Sequence, residues 1–201
     1  TYVAEGLRQT QDGGFIYGAQ KKDLQTVGGV YKIATVVKMD SNFNKQWTFT
    51  GGNYNTETAI VDLEELPDGS FIGCGNKPFF NGDSSMVSGW IIKLDYNGSV
   101  VWDRTYAGLT TSQSYNYLSD IDVLEDGSFI AVGQCQKSGA TPPQVGWFLK
   151  LDSNGCEVEN CLAGIDGGQV TDGGGQIQVW PNPASTVVTV TLPDEMQNAE
   201  V

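Results

Sequence analysis

Paired carboxylates and one cysteine are the residues of this chain whose types could support catalysis. Glu64 and Glu65 are neighbours, and Asp120 and Asp122 lie two positions apart. Two carboxylates can hydrolyse a glycosidic bond, one as the acid and the other as the base or nucleophile. These acids lie in or beside predicted strands at positions that do not correspond, so we interpret them as solvated acids at strand edges. Cys74 has no partner base because the chain contains no histidine, and we therefore assign no catalytic residue.

Aromatic side chains offer a different chemistry, the binding of a ligand without turnover. An exposed aromatic ring can stack on a sugar ring or on a peptide side chain. Five aromatic residues fall in predicted connections between strands at one end of the structure: Tyr54, Phe79, Phe80, Tyr115 and Tyr117. We give these residues as the candidate ligand-binding site, although we favour the alternative that their rings pack the connections onto neighbouring blades.

Composition excludes several classes of function. Eleven basic and twenty-four acidic residues give a net charge of −13, which repels nucleic acid and anionic membrane surfaces. Without histidine the commonest metal ligand is missing, so the sequence indicates no metal site and no cofactor. No apolar run approaches the roughly 20 residues that cross a bilayer. We therefore predict a chain with no nucleic-acid partner and no transmembrane segment.

Two short sequence patterns recur in a fixed order. Asp-Gly-Gly/Ser-Phe-Ile occurs at 12–16, 68–72 and 126–130, and Leu-Asp-x-Asn-Gly occurs at 94–98 and 151–155, with a degenerate copy at 39–43. Asp-Gly and Asn-Gly are strong signals for tight hairpin turns. A calcium loop is the alternative, but it needs a distal Glu, and strand residues follow these turns at once. The pattern therefore predicts an array of repeated supersecondary units.

Each unit is predicted to hold four strands, which we name a, b, c and d. In the middle copy they are Ala59–Leu66, Phe71–Asn76, Gly89–Asp95 and Val100–Tyr106. The a–b and c–d turns then share one end of the sheet, and a long b–c connection at Lys77–Ser88 lies at the other. Variable connections of this kind are where binding sites usually arise.

Four antiparallel strands in a repeat of about 57 residues match the blade of a β-propeller, so we predict an all-β fold. The blades are 1–52, 53–108 and 109–164. A solenoid of strands is the alternative. Three blades make only a partial ring. Further blades before Thr1 would complete it, as would association of chains, and we favour the former because Thr1 falls inside an a strand.

The cysteines indicate an oxidising compartment. Cys156 and Cys161 lie close together in a hairpin-like setting, and we expect them to form a disulfide. We expect Cys74 and Cys135 to be buried thiols. The third repeat has Glu159 where the first two have tryptophan, so the disulfide would replace the packing of that ring.

The end of the chain has a different character. Residues 165–176 have the glycine-rich composition of a flexible linker. Residues 177–201 return to β character, with Trp180, Pro181, Asn182 and Pro183 followed by an alternating Val/Thr strand. This segment resembles the start of the C-terminal sorting domain of proteins exported by type IX secretion.

The resemblance implies a β-sandwich of which this chain holds only the N-terminal part. It also implies recognition by the type IX secretion machinery and a place outside, or on the surface of, a Gram-negative bacterium. We therefore expect a secreted, non-catalytic β-propeller that binds a surface glycan or a protein. One alternative is a polysaccharide-acting propeller enzyme with catalytic residues outside this segment, and another is a structural accessory of an outer-membrane complex.

Overall fold

Every regular element in the described part of the chain is a β-strand. The computed structural model describes residues 2–23, 31–51, 57–81, 84–110, 113–137, 139, 144–157, 178–180 and 189–191. The predicted all-β fold is confirmed. Among these residues no helix is long and apolar enough to span a membrane.

The first repeat is one four-stranded sheet. Its strands are β1 (Tyr2–Gln9), β2 (Phe15–Asp23), β3 (Tyr31–Met39) and β4 (Lys45–Gly51). They pair in chain order, each antiparallel to its neighbour. The two tight turns therefore lie at one end of this sheet, as the sequence predicts.

The second and third repeats follow the same order. The strands are β5 (Ala59–Glu65), β6 (Phe71–Asn81), β7 (Ser84–Leu94), β8 (Val100–Tyr106), β9 (Ser114–Val123), β10 (Phe129–Lys137) and β11 (Gln144–Leu151). The expectation of separate antiparallel sheets is wrong here, because the backbones of Val87 in β7 and Tyr115 in β9 form one parallel bridge. The seven strands therefore form one mixed sheet.

The b–c connection of the second repeat is a hairpin rather than the predicted loop at Lys77–Ser88. β6 continues to Asn81, and β7 begins at Ser84. Ala59 and Asn76 form the last pair of β5 with β6, so among the described residues the rest of β6 has no partner on that side. Pro78 therefore removes no hydrogen bond from a ladder on that side, which is where a strand tolerates proline.

Neighbouring repeats pack face to face through their inner strands. β5 lies against β1, β2 and β3, and β9 lies against β5, β6 and β7. The first contact buries a core of Ile16, Ala34, Val36, Ile60, Leu63, Phe71, Trp90, Ile92 and Leu94. The second buries a core of Leu66, Ile72, Cys74, Ile91, Tyr106, Leu118, Ile121, Phe129, Ala131, Leu149 and Leu151. The hydrophobic core therefore lies between the repeats, so each repeat depends on its neighbour for burial.

A tryptophan on each outer strand reaches the next repeat. The indole N–H of Trp47 in β4 donates to the carbonyl oxygen of Tyr96 at 3.0 Å. A Cβ atom added to Gly98 in the same turn would lie 2.6 Å from the Trp47 ring, and one added to Gly155 would lie 2.8 Å from the ring of Trp102. The repeated Asn-Gly turn is therefore both a hairpin turn and the surface that receives the preceding tryptophan.

The chain divides into two compact units, Thr1–Gly155 and Cys156–Val201. In the second unit, β12 (Gln178–Trp180) pairs antiparallel with β13 (Thr189–Thr191). The two predicted strands on either side of the Pro-Asn-Pro motif are therefore present. Pro181, Asn182 and Pro183 themselves lie outside the described residues.

The cysteines fall into two groups. Cys74 and Cys135 are free and buried, as predicted. Cys156 is also buried. Cys161 and Glu159 lie outside the described residues, so the Cys156–Cys161 disulfide and its replacement of a tryptophan stay predictions.

Candidate functional site

Two of the predicted ligand-binding aromatics lie side by side. Tyr115 and Tyr117 belong to β9 rather than to a connection between strands, so that part of the prediction is wrong. Alternate residues of a strand project from the same face, and their ring centroids are 6.4 Å apart with planes only 4° from parallel. Both side chains are half-buried. The strand therefore presents two parallel rings that remain partly accessible.

The β6–β7 hairpin reaches the same end of the sheet. Phe79 pairs with Met86 in the hairpin, and the adjacent Val87 forms the bridge to Tyr115. The backbone thus brings the segment holding Phe79 and Phe80 close to the tyrosine pair. Tyr54, the fifth predicted residue, lies outside the described residues.

One carboxylate acts electrostatically on the tyrosine pair. Burial raises the pKa of the Tyr117 phenol, and the nearby Tyr115 and the Glu57 carboxylate raise it further. The Lys32 ammonium lies 4.0 Å from Glu57. An aromatic surface with a carboxylate nearby can stack on a ring and hydrogen-bond to hydroxyls at the edge of that ring.

A second cluster lies on the inner strands, where each repeat has a β-bulge. The pairing skips Gly6, Val61 and Ser119, one residue in each of β1, β5 and β9. Bulges of this kind change the direction of the side chains that follow. In the second and third repeats the next residue is an aspartate, Asp62 or Asp120.

Asp62 is the centre of this cluster and joins all three repeats. Its Oδ1 lies 2.9 Å from Arg8 Nη2, and its Oδ2 accepts the backbone N–H of Ile121 at 3.2 Å. Arg8 Nε also donates to Glu64 Oε1 at 2.5 Å. Asp62 is also hydrogen-bonded to the carboxyl of Asp120. The cluster therefore ties β1, β5 and β9 together.

The carboxyl of Asp62 is held partly protonated near neutral pH. Burial raises its pKa to about 6, and the hydrogen bond with Asp120 acts in the same direction against the attraction of Arg8. Two carboxyls that share a hydrogen bond cannot both ionise cheaply. A raised pKa also occurs in catalytic acids. Asp62 is buried, however, and its oxygens are engaged by protein groups, so the arrangement acts as a tie between repeats.

The acids that the sequence analysis considered for catalysis also have structural partners. Glu65 accepts the backbone N–H of Gln11 at 2.6 Å, and Asp122 accepts that of Val123 at 2.8 Å. The prediction that these acids occupy non-equivalent positions of their repeats is wrong for one pair. Glu64 is the cross-strand partner of Ile72, and Asp122 is the cross-strand partner of the equivalent isoleucine in the third repeat.

Sequence reasoning missed Asp62 and Arg8. The signal for Asp62 was present, since Asp62 and Asp120 precede the turn residues Asp68 and Asp126 by the same number of positions. No pattern within one repeat indicates a role for Arg8, because the residues that it binds lie on β5, the inner strand of the next repeat.

The Asp-x-Asn-Gly turns show hairpin geometry. Asp95 Oδ1 accepts the backbone N–H groups of Asn97 and Ser99 at 2.9 and 2.8 Å. That oxygen stabilises the turn itself. Over the described part of the chain, no three His, Cys, Asp or Glu side chains come together in a group that could hold a metal ion.

The sequence matches no family model and no curated protein. The resemblance of Val179–Ala184 to a sorting domain therefore rests on those residues.

Proposed function

We propose that the protein is a secreted, non-catalytic β-propeller module that binds a glycan or protein ligand at the bacterial surface. The three repeats are consecutive blades, and the C-terminal region carries the signal read by type IX secretion. The blade assignment is supported by the antiparallel order within each repeat and by the packing of each inner strand on the preceding repeat.

The observation that carries the binding proposal is the parallel pair Tyr115 and Tyr117. If the two rings served only to pack the repeats together, we would expect them to be buried more completely. Their partial accessibility therefore favours a role in binding. The carboxylate of Glu57 acts on Tyr117 and is itself 4.0 Å from the Lys32 ammonium, which suits a ligand with both an apolar ring face and polar edges. A sugar has both features, since its C–H face stacks on aromatic rings and its hydroxyls hydrogen-bond.

Binding without turnover is favoured over hydrolysis by the state of the acids. Glycoside hydrolysis needs two carboxyls facing the substrate across a gap of about 5–10 Å. Asp62 is buried and bound by Arg8 and Ile121, and Glu65 and Asp122 accept backbone N–H groups. These contacts fit carboxylates that hold the backbone together.

Export is proposed from the C-terminal residues. The antiparallel pairing of β12 with β13 supports this assignment, because it gives β structure before and after the Pro-Asn-Pro motif. Expression in a bacterium with type IX secretion, with and without residues 177–201, tests this part. The intact chain should reach the culture medium or the cell surface, and the shortened chain should remain inside; equal export of both would remove the assignment.

The binding proposal is tested with a glycan array and a panel of surface proteins, followed by titration of any ligand found. Tyr115→Ala and Tyr117→Ala should each weaken binding about tenfold, which is at the low end of the roughly 1–3 kcal/mol that one base stacked on an aromatic side chain contributes. Tyr96→Ala is the matched control. Tyr96 is an exposed tyrosine in the turn at the opposite end of β7.

Three results would change the proposal. Turnover of a polysaccharide would make the protein an enzyme. Unaltered affinity in both tyrosine variants would move the binding site elsewhere. Stable co-purification with an outer-membrane complex, without ligand binding, would favour a structural accessory.

A further inference from the structure

A buried asparagine lies between the two tyrosines on β9. Side chains alternate along a strand, so Asn116 projects from the face opposite to Tyr115 and Tyr117. It is 0% exposed, whereas both tyrosines are half-buried. A buried polar side chain needs hydrogen-bond partners, because leaving its polar atoms unpaired would cost free energy. The partners of Asn116 therefore show what this side chain holds in place.

The side-chain amide of Asn116 joins two other segments to β9. Its Nδ2 donates to the carbonyl oxygen of Val87 in β7 at 2.9 Å and to that of Leu109 at 3.1 Å. Its Oδ1 accepts the backbone N–H of Leu109 at 2.8 Å. The hydroxyl of Ser114 also donates to the carbonyl oxygen of Leu109, at 2.9 Å. One buried amide thus connects β9, the β6–β7 hairpin and the connection that precedes β9.

The equivalent residue of the second repeat is Thr58, because Thr58 and Asn116 precede the turn aspartate of their repeats by the same number of positions. Thr58 is also buried. Its hydroxyl accepts the backbone N–H of Ala34 at 2.9 Å and donates to the carbonyl oxygen of Gly51 at 3.1 Å. Both residues therefore fasten an inner strand to the preceding repeat. Thr58 follows Glu57, however, whereas Asn116 has a tyrosine on each side.

The contact with Val87 reaches the other half of the candidate site. Val87 also forms the backbone bridge to Tyr115, and it follows Met86, which pairs with Phe79 in the hairpin. The amide of Asn116 therefore bonds to the hairpin at the point where the hairpin meets the tyrosine strand. Because the amide is buried, water competes little for these hydrogen bonds, and they hold the hairpin and the tyrosine strand in one arrangement.

We propose that Asn116 is a positioning residue of the candidate site, and that its buried amide fixes Tyr115 and Tyr117 relative to the β6–β7 hairpin. It lies on the opposite face of β9 and so acts through the tyrosines, without touching a ligand stacked on them. The two rings are held within 4° of parallel, and groups fixed before binding lose less conformational entropy when the ligand arrives. The purpose of this positioning rests on the proposed function, whereas the positioning itself can be measured without a ligand.

Fluorine NMR of the full chain labelled with 3-fluorotyrosine tests the proposal. Tyr115→Phe, Tyr117→Phe and Tyr96→Phe assign the three signals that matter, because each variant lacks one signal. Asn116→Ala removes the hydrogen bonds of the side chain to Val87 and to the connection before β9. It should shift and broaden the signals of Tyr115 and Tyr117, since the rings then adopt more than one arrangement. The signal of the exposed Tyr96, at the opposite end of β7, should not move.

Asn116→Thr is the second variant, because the fold accepts a buried threonine at the equivalent position of the second repeat. It keeps a hydroxyl but lacks the amide donor for the Val87 carbonyl, so it should remain folded and still shift both tyrosine signals. Thr58→Val is the matched control, since it removes a buried hydroxyl at the junction of the first two repeats. It should lower the melting temperature and leave both tyrosine signals in place. Circular dichroism checks that each variant is folded.

Two outcomes would overturn the proposal. The first is that both tyrosine signals keep their positions in Asn116→Thr, which decides the matter if Asn116→Ala does not fold. The second is that Thr58→Val shifts them equally, because any weakened junction would then have the same effect. Shifted signals in a protein that binds no ligand would uphold the positioning and reject the proposed function. Unshifted signals, together with weaker ligand binding in Tyr115→Ala, would do the reverse.

Discussion

The indole N–H of Trp47 donates to the carbonyl oxygen of Tyr96, 3.0 Å away, and so joins the outer strand of one repeat to a turn of the next. The ring then lies over Gly98, whose φ is +84°. Glycine is needed at this position for two separate reasons. A side chain would strain the backbone, and it would also collide with the tryptophan.

These two reasons can be separated by a pair of alanine substitutions. Gly69 has a φ of +79°, and a Cβ atom added there would have no neighbour within 4 Å, whereas one added to Gly98 would lie 2.6 Å from the ring. Gly69→Ala should lower the free energy of unfolding by about 1–2 kcal/mol from backbone strain alone. Gly98→Ala should cost about 1–3 kcal/mol more because of the collision. Urea denaturation measures both, and equal losses would show that the tryptophan moves aside freely.

A buried lysine makes the turn aspartate of the first repeat, Asp12, more important for stability than the equivalent Asp68 of the second repeat. Lys38 is buried and lies 2.7 Å from Asp12, whereas Lys93 lies 3.9 Å from Asp68 and is more exposed. Asp12→Asn leaves a buried ammonium without its counter-ion and should cost about 2–3 kcal/mol. Asp68→Asn should cost less than about 1 kcal/mol. A similar loss in both variants, measured by thermal or urea unfolding, would contradict this explanation.

The same ion pair predicts an acid sensitivity. The hydrogen bond from Lys38 lowers the pKa of Asp12 from 3.8 to about 2. A lowered pKa stabilises the folded state above pH 3.8, and that contribution disappears as the pH falls toward 2. The free energy of unfolding should therefore decrease less between pH 4 and pH 2 in Asp12→Asn than in the unaltered protein.

Asp62 should have the opposite pH dependence. Burial, together with the hydrogen bond to Asp120, raises its pKa from 3.8 to about 6. Between these two pKa values the folded state holds a proton that the unfolded state has released. The stabilisation of the folded state by the protonated carboxyl is therefore fully present below pH 4 and is lost as the pH rises through 6. The loss is about 3 kcal/mol at most. Asp62→Asn should remove that part of the profile, as measured by urea unfolding from pH 4 to 8.

Asp122→Asn is the control for this prediction. Asp122 is an exposed acid of the neighbouring inner strand, and its substitution should leave the fall in stability between pH 4 and 6 in place. If Asp62→Asn and Asp122→Asn have the same pH profile, the buried carboxyl is not the group that titrates.

The thiols predict a labelling pattern. Burial raises the pKa of Cys74 well above its usual value, and burial also raises that of Cys135. Thiolate is the reactive form, so neither residue should react with iodoacetamide until the protein unfolds. If Cys156 and Cys161 form a disulfide, a reductant should make them reactive and lower the melting temperature. Mass spectrometry of the labelled peptides measures the first effect and calorimetry the second.

Local turn chemistry made most of the strands predictable. The outer strand Val100–Tyr106 was predicted with the bounds that the structure has, and the inner strand Ala59–Glu65 differs by one residue. Asp-Gly and Asn-Gly fix both turns that flank these strands, so the strand ends follow from residues nearby in sequence.

Features that depend on two repeats together were not predictable. The sequence predicts a connection over Lys77–Ser88, and only the end of the pairing between β5 and β6 at Asn76 shows why β6 can continue through Pro78. The sequence predicts a connection at Tyr115, because the bridge to Val87 cannot be seen from either strand alone. The contact of Asp62 with Arg8 likewise needs the packing of one repeat on the next. Sequence patterns specify a repeat, and packing between repeats specifies the rest.

The tryptophan that fastens each repeat to the next has a consequence for how the array opens. Amide protons of β6 and β7, which lie between two neighbours, should exchange with deuterium only when several repeats separate at once. Those of β10 and β11 are covered on one side by the second repeat, and their exchange should report the opening of a single junction. Exchange rates along the chain would therefore rank the junctions by strength, one repeat at a time.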